Sequence, residues 1–187
     1  MPAIQPTSPT LFPLICIVLR CRPRYRRLCA GSHEKCDILR SGLNLDETVN
    51  YKSPDFRKEL AAACPNGIDV YFDNTGGAIL QTALFNMATH GRIVCCGNVS
   101  QYDTSTPEPG PRGVPGLLVN NRVTMQGFLV SDWSAEEAAA ARAELRKMIV
   151  DGTLKPWVNE IHGLENGPQA FVDMLGGGNL GTTTVRV

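Results

Sequence analysis

The stretch GIDVYFDNTGG, residues 67–77, decides the fold class of this chain. Residues 68–72 are mostly apolar or aromatic, as in a buried strand. Residues 73–77 combine polar side chains with two glycines and lead into an amphipathic helix, which we predict to present Ile79, Leu80, Ala83, Leu84 and Met87 on one side and to stop at His90 and Gly91. A strand, a tight turn and a helix in succession are the repeating unit of a parallel sheet covered by helices.

The same alternation continues on both sides of this stretch. Further strands are predicted at residues 27–31, 48–51, 92–96, 122–130 and 182–187, and further helices at residues 33–40, 114–121, 135–152 and 168–175. Another helix is predicted to open at Ser53 and Pro54 and to be closed by residues 65–67. Ser32 is the expected N-cap of the first helix, and Ser134 with Glu137 forms a capping box for the longest one, whose inward stripe would be Ala138, Ala141, Leu145 and Met148. The sequence therefore predicts an α/β fold, a truncated doubly wound (Rossmann-like) parallel sheet with helices on both faces.

The first 26 residues differ from the rest of the chain. Residues 1–33 carry five arginines and no acidic residue, and the segment is rich in proline without an amphipathic period. We expect residues 1–26 to be a disordered basic leader and residues 27–187 to be a partial nucleotide-binding domain. The missing acids also fit a mitochondrial presequence, although we favour an accident of gene prediction or splicing.

Composition excludes several classes of protein. The 18 basic and 18 acidic residues cancel, so there is no electrostatic case for nucleic-acid binding. The longest apolar run, residues 11–19, contains Pro13 and is far shorter than the roughly 20 residues of a membrane span. The seven cysteines are odd in number and include no C-x-x-C pair, which favours a reducing, cytoplasmic location over a disulfide framework or a zinc knuckle.

Polar residues follow the predicted strands, where ligands bind in a doubly wound sheet. Gly31, Ser32 and Lys35 follow the first strand, and no acidic residue stands directly at its end. A lysine there suits the 2′-phosphate of NADP, whereas NAD-binding folds place an acid that holds the ribose hydroxyl. The alternative is that Lys35 is an ordinary solvated helix residue.

Later strand ends offer further candidate ligands for a dinucleotide. Tyr51 could stack beside an adenosine or simply pack, and Asn74 sits in a glycine turn that a ligand could approach closely. Side chains of a long loop and of the last glycine-rich turn complete the set: Cys96, Gly97, Asn98, Val99, Ser100, Gln101, Tyr102 and Asn179.

No catalytic residue can be assigned from spacing alone. Asp73, Asp132 and Glu165 form no acid–base pair, and no Gly-x-Ser-x-Gly motif accompanies the three histidines. Cys95 and Cys96 are adjacent in a predicted strand, so their side chains point to opposite faces and do not suit one metal ion. We predict no metal site.

An ordered set of short motifs resembles one family. After GIDVYFDNTGG, the others are AGSHEK at Ala30, VNYK at Val49, HGRIVCCG at His90, SQY at Ser100, GPR at Gly110, MQGFLV at Met125, GLENGPQAF at Gly163 and GNLG at Gly178. Together, over residues 27–187, they are similar to zinc-independent medium-chain dehydrogenase/reductases of the prostaglandin reductase and alkenal double-bond reductase branch.

The resemblance implies an NADPH-dependent reductase of the carbon–carbon double bond of a small-molecule enone or enal. In that family Lys35 matches the residue at the 2′-phosphate and Tyr51 its companion near the adenosine. Residues matching positions along the ribose and nicotinamide are Asn74, residues 96–102, Phe128, Leu129, Val130 and Asn179. We also expect a homodimer, because residues 122–130 suggest a long exposed strand.

The chain departs from the family before Arg27. The family has a catalytic domain resembling the GroES fold, then a strand and a glycine-rich turn that seats the pyrophosphate, and no G-x-G-x-x-G precedes Ala30 here. The alternative function is therefore a nucleotide-binding or dimerising remnant without turnover.

Overall fold

The computed structural model describes residues 16–21, 25–43, 45–102, 105–107 and 109–187. Its helices and strands alternate over most of this length, as the sequence predicts. In chain order they are β1 (Cys16–Cys21), β2 (Tyr25–Ala30), α1 (His33–Leu43), β3 (Glu47–Asn50), α2 (Phe56–Ala63), β4 (Ile68–Asp73), α3 (Gly77–Phe85), β5 (Met87–Cys95), α4 (Val114–Asn121), β6 (Thr124–Gly127), α5 (Ala135–Val150), β7 (Val158–His162), α6 (Gly167–Gly176) and β8 (Thr182–Arg186).

Six strands form one sheet in the order β3-β2-β1-β4-β5-β6. β2 and β3 are parallel, and β4, β5 and β6 are parallel to one another. β1 is antiparallel to both β2 and β4, so these two strands share one direction. The carboxyl ends of β2 to β6 therefore lie along one edge of the sheet, where a doubly wound fold binds its ligand.

The central strand β1 was not predicted. The sequence analysis places residues 16–21 in a disordered leader, whereas they form a strand in which Leu19 pairs with Arg27 on one side and Tyr71 on the other. These residues are therefore a strand and not a disordered segment: residues 16–19 are an apolar run with two β-branched residues, and backbone pairing on both sides orders it. Residues 1–15 and 22–24 lie outside the described residues.

Helices cover both faces of the sheet, as predicted. In β2, Leu28 and Ala30 join a core cluster with Cys36 and Leu39 of α1. Cys29, between them in sequence, joins a larger cluster that includes α2 and α3, with α4 packed against it. Because neighbouring residues of a strand point to opposite faces, α1 covers one face and α2 to α4 cover the other.

The boundary between α3 and β5 differs from the prediction. The helix ends at Phe85, and Met87 already belongs to β5, whose backbone is irregular near His90, where φ is +64°. Gly91 is packed so closely against Ile68 and Ala88 that a side chain would not fit. His90 and Gly91 therefore mark a bulge in a strand rather than the end of a helix.

The C-terminal third is less buried than predicted. The capping box of Ser134 and Glu137 starts α5 as expected, with Glu137 N–H donating to Ser134 Oγ over 3.2 Å. None of the predicted inward stripe is buried, however, and Leu145 is 49% exposed. β8 pairs in parallel with β7, the strand that ends at His162, in a separate two-stranded sheet. Within the part of the chain that the structure describes, no helix could span a membrane.

Candidate functional site

The turns after β4 and β5 are held together by backbone hydrogen bonds. The N–H of Cys96 donates to the carbonyl of Asp73 over 2.7 Å, and the N–H of Val99 donates to that of Asn74 over 3.1 Å. Parallel pairing of β4 and β5 brings the two turns side by side. The structure thus brings Asn74 together with the loop that begins at Cys96.

Two glycines make this contact possible. A side chain at Gly97 would meet Asn74 Oδ1 at 2.5 Å, and one at Gly76 would overlap the Asn98 side chain. Gly76 also has a φ of +71°, which L-residues rarely adopt. The turns leave room for two amide side chains at the carboxyl edge of the sheet.

The carboxylate of Asp73 organises the first of these turns. It is 2% exposed, and its Oδ1 accepts hydrogen bonds from the hydroxyl of Tyr71 at 3.0 Å and from the backbone N–H groups of Thr75 and Gly76 at 3.2 and 3.1 Å. Burial raises the pKa of Asp73, while these three hydrogen bonds act in the opposite direction. Asp73 therefore shapes the turn from inside and does not face a ligand.

A shallow cavity lies beside the loop after β5. We call it the β5 cavity, and it is lined by Cys95, Cys96, Gly97, Asn98, Tyr102, Gly127, Phe128, Leu129 and Asp132. Phe128 is held there by its backbone N–H, which donates to the carbonyl of Cys95 over 3.3 Å, and by an edge-on contact with Trp133 at 5.5 Å between ring centroids. Half of the residues predicted for the ribose and nicotinamide side line this cavity.

A second cavity of about 470 Å³ lies at the carboxyl end of β2. This α1 cavity is bounded by Gly31 and Lys35 on one side and by Trp157, Asn179 and Thr183 on the other. The Lys35 ammonium donates to the carbonyl of Gly177 over 2.8 Å, which links α1 to the glycine-rich turn after α6. Two predicted cofactor residues that are 144 positions apart in the sequence, Lys35 and Asn179, thus line one cavity.

The polar groups of the α1 cavity suit an anionic, hydroxyl-bearing ligand. Burial lowers the pKa of Lys35, and the ammonium of Lys52 lowers it further, while Glu34 acts in the opposite direction. Among the described residues, the buried Asn179 Oδ1 and Thr183 Oγ1 have no hydrogen-bond partner. Buried polar atoms are nearly always paired, so two unpaired ones beside a cavity indicate contact with a ligand or solvent.

Ser32 and Tyr51 border the same end of β2. Ser32 Oγ accepts the N–H of Lys35 over 3.1 Å and so acts as the predicted N-cap of α1. A side chain at Gly31 would lie only 2.7 Å from the hydroxyl of Tyr51, so the absence of one lets the tyrosine close over the turn. Tyr51 also packs against the larger core cluster.

The structure separates the predicted site residues into two groups. One group surrounds the α1 cavity, and the other lines or borders the β5 cavity. Strand β1 lies between the two groups, because it occupies the position between β2 and β4 in the sheet. Val99 is buried and Val130 is 86% exposed, and neither lines the α1 cavity or the β5 cavity. Sequence reasoning missed Thr183, which no motif marks, and Lys52, although it stands in the quoted motif VNYK.

Among the residues that the structure describes, no group of three or more histidine, cysteine, aspartate or glutamate side chains could hold a metal ion.

This arrangement of parallel strands, with candidate ligands at their carboxyl ends, defines a Rossmann-type α/β domain. The family model described as zinc-binding dehydrogenase matches residues 28–147. The chain therefore belongs to the zinc-binding dehydrogenase family.

Individual relatives are named as reductases. The chain is 38% identical to prostaglandin reductase 1 of Rattus norvegicus over 159 residues, which cover 84% of this chain and 47% of that protein. It is also 38% identical over 167 residues to the NADP(+)-dependent 2-alkenal reductase of Nicotiana tabacum, covering 84% of this chain and 46% of the relative.

A solved structure supports the same relationship. CurA from Vibrio vulnificus in complex with NADPH superposes with a TM-score of 0.76 at 35% identity, over 85% of this chain and 48% of CurA. The chain thus spans less than half the length of these relatives.

The raised pKa of Asp73 predicts a pH dependence of stability. A carboxyl whose pKa is higher in the folded than in the unfolded state binds its proton more tightly when folded, so its contribution to stability increases as pH falls through that window. We expect the difference in unfolding free energy between the wild type and Asp73→Asn to shift in favour of the wild type between about pH 7 and about pH 4. Urea unfolding at several pH values measures it.

Asp37→Asn, which changes an exposed carboxylate of α1, is the matched control. A wild-type advantage over Asp73→Asn that stayed constant or declined as the pH was lowered would contradict the assigned effect of burial.

Proposed function

We propose that this chain binds NADP(H) along the carboxyl edge of its sheet. The observation that carries the proposal is the meeting of Lys35 and Asn179 in the α1 cavity, where a buried amide oxygen lacks a partner among the described residues. Lys35 would hold the 2′-phosphate beside Tyr51, and Asn179 would accept a hydrogen bond from a hydroxyl or amide of the cofactor. Asn74 and the residues of the β5 cavity would line the ribose and nicotinamide side.

We further propose that the protein is a zinc-independent, cytoplasmic reductase of the carbon–carbon double bond of α,β-unsaturated aldehydes or ketones. NADPH, when bound, supplies the hydride, and the protein supplies binding and orientation. The names of the prostaglandin and alkenal reductases support this substrate class. Exposed Leu129 and Trp133 at the rim of the β5 cavity would contact an apolar substrate.

A remnant that binds nucleotide without turnover is the second candidate. One observation favours it: the antiparallel β1 occupies the sheet position between β2 and β4 and continues into β2 across only residues 22–24. A short connection of this kind supplies no turn from a strand into a helix, and such a turn is what normally seats a pyrophosphate.

Cofactor preference tests the proposed binding site. The wild type should bind NADPH more tightly than NADH, and Lys35→Ala should lower NADPH affinity about tenfold while leaving NADH affinity unchanged, because only NADPH carries the 2′-phosphate. Fluorescence titration of the purified chain measures both constants. Lys147→Ala, an exposed lysine of α5, is the control. Equal affinities that the Lys35 substitution does not alter would refute the proposal.

Turnover separates the two candidate functions. Hydride transfer needs its reacting carbons about 3 to 3.5 Å apart, and a 1 Å displacement can cost about 100-fold. Because no turn from a strand into a helix precedes β2 among the residues that the structure describes, we expect the purified chain to reduce alkenals and enones at least about 100-fold more slowly than a relative of full length. NADPH absorbance follows the reaction. Robust turnover that disappears in Asn74→Ala would favour the reductase instead.

We also propose a homodimer that pairs through β6, although this strand spans Thr124–Gly127 and is shorter than the predicted residues 122–130. β6 is an edge strand, which leaves one side open to a copy of itself. Light scattering at roughly tens of micromolar should report a dimer, and Gln126→Lys should weaken it, because lysine on an edge strand opposes pairing. A monomeric wild type would exclude the dimer.

A further inference from the structure

We propose that Lys52 is a second cation for the 2′-phosphate and that it contributes to the choice of NADP over NAD. The inference rests on the proposed function and deepens it at the α1 cavity. Lys35 and Tyr51 match family positions at this end of the cofactor, and Lys52 matches none of the positions carried over from the family.

The position of Lys52 carries the inference. A side-chain carbon at Gly31 would lie 3.4 Å from Lys52 Cε and 2.7 Å from the hydroxyl of Tyr51. The side chains of Lys52 and Tyr51 therefore both extend across the turn that follows β2. They reach the border of the α1 cavity, which Gly31 lines. The ammonium nitrogen of Lys52 is bonded directly to this Cε.

The backbone of Lys52 is fixed at this place. Its N–H donates to the buried Asn50 Oδ1 over 3.0 Å, and the N–H of Tyr51 donates to the carbonyl of Ala30 over 3.0 Å. These two hydrogen bonds hold the first residues of the turn after β3 against the end of β2. Only the flexible part of the lysine side chain has to order when an anion binds.

The charges of the two lysines indicate the kind of ligand that they would bind. Lys35 experiences repulsion from Lys52, which is one cause of its lowered pKa. Among the described residues, no ion pair within 4.0 Å joins either ammonium to a carboxylate. A phosphate monoester carries nearly two negative charges at neutral pH, so its binding between the lysines replaces a repulsion with two attractions.

The ligand chemistry is accordingly a phosphate monoester on a ribose. Lys35 is oriented by the Gly177 carbonyl and keeps two further N–H donors, and Lys52 offers three. A ribose with free hydroxyls would leave both ammonium groups without this partner. Discrimination between NADP and NAD would therefore depend on both lysines.

Two small probes isolate this contact from the rest of the cofactor. Adenosine 2′,5′-bisphosphate carries the 2′-phosphate, and adenosine 5′-diphosphate does not. Calorimetry on the full chain should show that Lys52→Ala weakens the first probe about five- to tenfold and leaves the second unchanged. Lys52→Arg, which keeps the positive charge, should retain most of the affinity.

Lys58→Ala is the matched control, since Lys58 is an exposed lysine of α2 whose ammonium pairs with Asp55 at 2.9 Å, away from Gly31. Unchanged affinity of Lys52→Ala for the bisphosphate, or an equal loss for both probes, would overturn the role of Lys52 while leaving NADP binding intact. A wild type that binds the two probes equally well would instead refute the proposed function, and the role of Lys52 with it.

Discussion

The shared direction of β2 to β6 is the constraint on which the site depends. Each parallel strand delivers its following turn to the same edge, so Gly31, Asn50, Asn74 and Cys96 arrive there from four different strand ends. The turn after β4 is then held by the buried carboxylate of Asp73, which satisfies two N–H groups that the turn would otherwise leave unpaired. A buried carboxylate thus fixes the shape of the exposed turn at which we propose that the cofactor binds.

The burial of Asp73 is costly and useful at the same time. Desolvation disfavours the ionised carboxylate, yet three donors converge on one of its oxygen atoms. An apolar residue would avoid the desolvation but could not accept these hydrogen bonds. The same turn places Asn74 against Gly97, so a charge that touches no ligand positions two residues that we assign to the cofactor.

The sequence predicted those turns and helix caps that depend only on residues close together in the chain. The glycine turn at Gly76 and Gly77, the cap at Ser32 and the capping box at Ser134 depend on residues within a few positions of one another, and the structure contains all three. The grouping of Asn74 with residues 96–102 also followed from sequence, because parallel strands have their carboxyl ends at one edge.

Features that depend on distant partners were not predicted. β1 is ordered by pairing with β2 and β4, and nothing within residues 16–21 indicates these partners. His90 looks like a helix end because a histidine and a glycine commonly follow helices, yet packing of Gly91 against Ile68 makes the segment a strand. The place of Lys52 beside Gly31 likewise depends on the pairing of β2 with β3, which no local motif indicates.

The antiparallel direction of β1 limits which backbone groups the sheet can offer at the centre of the proposed cofactor site. Backbone hydrogen bonds are satisfied equally well by a parallel or an antiparallel strand, so β1 closes the sheet between β2 and β4. Its direction, however, places its amino end beside Cys29, near the binding edge, and its carboxyl end at the opposite edge. A strand that leaves the sheet on the wrong side cannot lead into a helix whose N-terminus faces a pyrophosphate. Within the described residues, β1 therefore fills the centre of the six-stranded sheet without supplying an anion-binding turn there, and the two groups of proposed cofactor residues lie on either side of it.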